Sequence, residues 1–114
     1  MADMAASESE FLRLITSSRF ELEAAGNPAY AIAIVTSAEE VQLSPMVFSN
    51  IGPASESGER VAARAQPGER VYLVSRTAAD GRAMFIVHDP KTLKKLYQRN
   101  EVIEESILEA DKRI

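Results

Sequence analysis

Residues 89–113, DPKTLKKLYQRNEVIEESILEADKR, decide the fold. Asp89 has the side chain of a helix cap and Pro90 suits a first helical position, where its missing N–H costs nothing. No further Gly or Pro follows. At about 100° per residue, Leu93, Leu96, Tyr97, Asn100, Ile103, Ile107, Ala110 and Ile114 fall on one stripe. The spacing predicts a long C-terminal helix packed on one face of a sheet.

The charges of that stretch break helical rules. Lys91, Lys94, Lys95 and Arg99 crowd its first half, and Glu101, Glu104, Glu105 and Glu109 crowd the second. Both blocks oppose the helix dipole. Lys91–Lys95–Arg99 and Glu101–Glu105–Glu109 are like-charge ladders at i,i+4, each link costing a few tenths of a kcal/mol. Blocks that do not pair along their own helix suit a surface elsewhere. One such surface is a second copy of the helix, antiparallel, with Asn100 beside its twin at the axis and fixing register. The expectation is a protein partner, with a homodimer through residues 91–113 as one form. The contacts fall to Lys91, Lys94, Lys95, Arg99, Asn100, Glu101 and Glu105.

Upstream of that stretch, Arg60–Ala65, Glu69–Thr77 and Arg82–His88 read as a three-stranded meander. Gln66-Pro67-Gly68 and Asp80-Gly81 supply the turns, Gly taking the positive-φ positions. NIGPASESG, residues 50–58, has the Gly, Ser and Pro content of a mobile loop. VQLSPMVFS, residues 41–49, reads as a strand whose Pro45 belongs at an edge or bulge, because it removes a ladder donor. Thr36–Glu40 is a turn or a single helical turn, and YAIAIV, residues 30–35, is a buried strand.

Residues 7–18 predict a helix, with Ser7 and Glu10 at capping-box spacing and Phe11, Leu14, Ile15 and Ser18 on one face. Arg19–Ala24 alternates charged and apolar residues and is compatible with a strand or with continuation of that helix. Gly26-Asn27-Pro28 breaks either. Residues 1–6 are expected to be flexible. The sum is one α+β domain spanning 1–114. It has an N-terminal helix, an antiparallel sheet of five or six strands with a C-terminal three-stranded meander, and the long C-terminal helix.

Composition narrows the function. The 114 residues include no Cys and one His, so thiolate chemistry, Cys-based metal sites and a His-rich centre are excluded for a single chain. No cofactor or metal is expected. No apolar run approaches the ~18–20 residues of a membrane span. The acidic first ten residues lack the order of a signal peptide, so the expected compartment is the cytoplasm. The net charge of −4 disfavours general nucleic-acid binding. It hides an asymmetry: residues 1–57 carry eight acids and two bases, and residues 58–114 nine acids and eleven bases. Such segregation bears on association and steering.

Candidates for chemistry are few. His88 beside Asp89 resembles a base with an orienting carboxylate, but neighbours in a strand point to opposite faces. Ser49, Ser55, Ser57 and Ser75 lack an evident base other than His88, and nothing in the sequence ties His88 to one of them. The pairs Glu39–Glu40 and Glu104–Glu105 are adjacent, the wrong geometry for paired carboxylates across a cleft. Arg60, Arg64, Arg70 and Arg76, with Tyr72, share parity on the meander. They suggest an anion or nucleic-acid face, with a single aromatic as stacking platform.

The reading these features favour is a small non-enzymatic protein-binding module, of regulatory, adaptor, chaperone or virus-encoded accessory type. One alternative is an enzyme or enzyme subunit using His88 or an Arg-lined pocket. The other is a nucleic-acid binder using the arginine face.

Overall fold

The computed structural model describes residues 2–103, with side chains described for 8–103. The order is α1 (Ala2–Ala25), β1 (Ala29–Val35), β2 (Val41–Phe48), α2 (Ile51–Ala63), β3 (Arg70–Ala79), β4 (Arg82–His88) and β5 (Lys95–Val102). The five strands form one antiparallel sheet in the order β2-β1-β3-β4-β5. The two helices lie on opposite faces of it.

α1 runs unbroken through the alternating stretch after Ser18, and Ser7 lies inside the helix and not at its start. Leu22 settles the choice between strand and helix. It extends the buried stripe Phe11, Leu14, Ile15 and Ser18 by one more turn and is itself fully buried. The stripe's one polar member, Ser18, gives its hydroxyl to the Leu14 carbonyl at 2.7 Å, so its burial leaves no donor unmet. Gly26, at φ 110°, ends the helix in a conformation only glycine adopts freely.

α1 covers the face built by Ala31, Ala33 and Val35 of β1, Val74 of β3, and Ala83, Phe85 and Val87 of β4. Small alanines on β1 let the helix approach closely, and Phe85 fills the space beyond. On the other face α2 packs Ala54, Gly58 and Val61 over Ile32 and Leu73.

Three sequence expectations need correction. The long C-terminal helix is absent: residues 95–102 form β5, antiparallel to β4. Asp89 does cap, but a single turn only. Its carboxylate accepts the Lys91 and Thr92 N–H groups, each at 2.9 Å, and the Leu93 N–H reaches the Asp89 carbonyl at 2.8 Å. Leu93 then takes φ 62°, which reverses the chain, and the Asp89 N–H closes the turn on the Lys94 carbonyl. From there the period is two. Tyr97 and Ile103 go to the α1 face and join its core, while Gln98 and Asn100 go to the other. A strand here satisfies the outer backbone groups of β4 and removes the like-charge i,i+4 contacts that a helix imposes between Lys91, Lys95 and Arg99. Residues 104–113 of the expected helix lie outside the described residues.

The second correction concerns residues 50–58, read as a mobile loop, and Arg60–Ala65, read as a strand. Both belong mostly to α2 and its C-terminal cap. Pro53 is harmless in the first turn, where N–H groups have no intrahelical partner. Gly58 is there for proximity: a Cβ on it would lie 2.7 Å from Pro90 Cβ and 3.2 Å from Ile32 Cδ1. The third follows from the first two. The C-terminal meander exists, displaced by one element, as β3-β4-β5. The β3–β4 turn is the expected Asp80-Gly81, at φ 53° and 76°. β2 is an edge strand with its register broken opposite Ala31 and Ala33, and Pro45 sits in that break.

Candidate functional site

Ser75 and His88 are the first candidates for chemistry. β3 and β4 place them diagonally on the α2 face, with Ser75 Oγ 3.0 Å from His88 Nε2. Sequence pattern alone does not pair them, because a diagonal contact requires the register. Ser75 is 3% exposed and His88 9%. Burial pushes the imidazole below its ordinary value, the Leu93 backbone opposes this, and the Lys95 charge adds to it. Nδ1 is buried without a hydrogen-bond partner, so no carboxylate orients the ring. Asp89 is committed to its turn, and its carboxyl is held below the ordinary range chiefly by the Thr92 backbone N–H. The pair has a base next to a hydroxyl but neither substrate access nor an orienting acid.

A second polar cluster ties α1 to the sheet. The Glu10 carboxylate is 13% exposed. It accepts from Arg70 Nε at 3.0 Å, Arg70 Nη2 at 2.6 Å and the Tyr72 hydroxyl at 2.5 Å. Burial alone would raise its pKa, but the hydrogen bonds from Arg70 and Tyr72, with the Arg70 and Arg13 charges, outweigh this and hold it below the ordinary value. The Tyr72 hydroxyl is correspondingly pushed up by burial and by Glu10. Arg70 also reaches Glu39 at 2.8 Å, and Arg13 donates to the Glu39 carbonyl at 3.0 Å. Every charge here has a partner within the chain, so the cluster works as a clamp.

The arginine face read from the sequence is not assembled. Arg60 lies in α2 and Arg64 caps it, because that stretch is helix and not strand. Arg70 and Tyr72 are engaged by Glu10 beneath α1. Arg76 joins Arg19 in a cleft of about 650 Å³ between the end of α1 and the sheet, floored by Ala83 and Phe85. The Arg19 guanidinium stands 5.1 Å over the Phe85 ring and pairs with Glu101. Among the described residues no group of three or more His, Asp or Glu is placed to hold a metal ion, and no helix is long and apolar enough to cross a membrane.

The contact residues expected from the supposed helix lie on the Asp89–Lys94 turn and on β5. Lys91, Lys94 and Lys95 are exposed. Arg99 and Glu101 point to the α1 face, 3.7 Å apart, and Glu101 also bridges to Arg19. Asn100 is exposed on the opposite face and accepts from Gln98 at 3.1 Å. Glu105 lies outside the described residues. The helical two-fold contact through Asn100 falls with the helix.

β5 brings these residues to the last position in the sheet, with no described strand beyond it. The two edges of the sheet differ. β2 is interrupted by Pro45 and its bulge, while β5 contains no proline and pairs regularly with β4 from Tyr97 to Val102. The Ile103 N–H donates inward to the Gly81 carbonyl at 2.8 Å. By the alternation of an antiparallel ladder, residues 97, 99 and 101 also face β4, and the N–H and C=O groups of Gln98, Asn100 and Val102 face outward. No family model, no curated protein and no solved structure matches the chain.

Proposed function

We propose that the chain is a small non-enzymatic protein-binding module that takes up an extended segment of a protein by strand addition along the outer edge of β5. One observation carries this reading: among the described strands the sheet has one blunted edge, at β2, and one regular edge, at β5. Unpaired edge groups are a template for another strand, and proteins that do not use an edge usually block it. Main-chain hydrogen bonds to residues 98, 100 and 102 supply affinity, and alternate side chains supply selection. Towards α1 the partner meets Arg99 and Glu101; on the other face it meets Gln98, Asn100 and the 62%-exposed Val102. The sealed Ser75–His88 pair and the internally neutralised Glu10 cluster favour binding over turnover.

The test uses Asn100→Pro, which removes one outward N–H and leaves the ladder to β4 intact, since the residue 100 amide faces away from it. A displayed peptide library is panned against the wild-type chain and this variant, with circular dichroism confirming that both are folded. Peptides held by the wild type and lost on the variant support the reading. No retained peptides, or equal retention on both, refute it.

A further inference from the structure

We infer that the strand added at β5 is β5 of a second copy, antiparallel, in the register that puts Asn100 opposite Asn100 of the partner subunit. This rests on the edge reading above and names the partner. The argument is one of parity and charge. In an antiparallel pair the residues that exchange hydrogen bonds must be outward-facing on both strands. Outward residues on β5 are 98, 100 and 102, so permitted self-pairings have position numbers summing to an even total.

Among these, a sum of 198 puts Arg99 against Arg99, and a sum of 202 puts Glu101 against Glu101. Like charges directly opposite are destabilising. A sum of 200 puts Arg99 against Glu101 of the partner subunit, twice by symmetry, at the closely spaced non-hydrogen-bonded positions where side chains meet best. It also puts Tyr97 against Ile103 of the partner subunit, extending the α1-side core of each copy into the other, and Gln98 against Val102 of the partner subunit. Asn100 meets its twin on the axis, where two carboxamides can exchange donor and acceptor. A strand basic in its first half and acidic in its second is complementary to itself only when reversed, which is the orientation a two-fold axis imposes.

Sedimentation velocity on the full chain, from micromolar to near-millimolar concentration, tests this. The wild type is expected to dimerise. Arg99→Glu places Glu against Glu101 at both contacts, and Glu101→Arg places Arg against Arg99. Each is expected to weaken self-association by about tenfold or more. Mixing the two variants restores opposite charges at both contacts, so the equimolar mixture is expected to dimerise where neither component does, an outcome that misfolding cannot produce. Asn100→Pro is expected to be folded and monomeric. A wild type that stays monomeric at the highest concentration overturns self-pairing. If that monomer still binds library peptides in an Asn100→Pro-sensitive way, the edge reading stands without it. A dimer indifferent to Arg99→Glu, Glu101→Arg and Asn100→Pro is formed through another surface and overturns self-pairing at β5.

Discussion

Replacing Gly58 with Ala sets two effects of opposite sign against each other. In a helix interior Ala is favoured over Gly by roughly 1 kcal/mol. At residue 58 the new Cβ arrives 2.7 Å from Pro90 Cβ, against 3.4 Å for ordinary contact, a shortfall of 0.7 Å. It also stands 3.2 Å from Ile32 Cδ1. Pro90 does not yield easily: it is buried, its carbonyl accepts the Ser55 hydroxyl at 2.9 Å, and it sits in the turn that Asp89 caps. Overpacking of this kind costs about 1–3 kcal/mol, so the net expectation is a loss of about 1 kcal/mol. Gly52→Ala in the same helix is the control, because nothing lies within 4 Å of its added Cβ. It is expected to gain a few tenths of a kcal/mol, up to about 1. Urea unfolding followed by far-UV circular dichroism, at one protein concentration and with the slope checked for constancy, reads both. A Gly58→Ala chain as stable as the wild type, or more so, refutes the account of why glycine stands at the α2–Pro90 contact.

Three further perturbations follow from the polar clusters. Glu10→Gln should cost about 1–2 kcal/mol at pH 7 in the same assay, a figure reduced because Arg70 keeps solvent contact and Glu39. Since the folded Glu10 pKa lies below its ordinary 4.5, its contribution is full above that value and is lost as pH falls through the folded pKa. The variant's stability should therefore vary less with pH below about 4.5, and an unchanged profile would count against the clamp. For His88, burial lowers the folded pKa below 6.5, so the unfolded chain takes up protons first as pH falls. Wild-type stability should decline from about pH 6.5 downward; a His88→Gln variant should lack that component, and parallel curves would show that the ring is not desolvated. Asp89→Ala should cost about 1 kcal/mol by uncovering the Lys91 and Thr92 N–H groups, with unchanged stability arguing that the turn is held by other contacts.

Much of the first half of the fold is readable from local pattern. The strands at β1 and β2, Pro45 on a bulged edge and the Phe11–Leu14–Ile15–Ser18 stripe all follow from side-chain period and the chemistry of proline, while the pairing of the two strands does not. Asp80-Gly81 follows equally from the positive φ that its turn requires. The misreadings have a common cause, in that a tertiary contact overrides a local signal. Gly58 looks like a loop residue until Pro90 is seen against it. The run after Pro90 has a helical stripe, but its like-charge ladders mark the helix as the wrong secondary structure. Leu93 at positive φ has no sequence signature, since that conformation favours Gly and Asn over Leu. Of the candidate site, Arg99, Asn100 and Glu101 were visible as a charge boundary with a polar residue at its centre. Their place on a sheet edge was not, because it depends on β4 needing a neighbour.

The break in β2 bears on what self-pairing can build. A sheet that accepts strands along both margins grows without limit into a ribbon, and a chain carrying two sticky borders is a fibril precursor. Here Pro45 and the disrupted ladder around it close one border. Among the described strands, the inferred joining of two copies through β5 leaves the proline-bearing β2 at both outer margins, so growth by this edge stops at the pair.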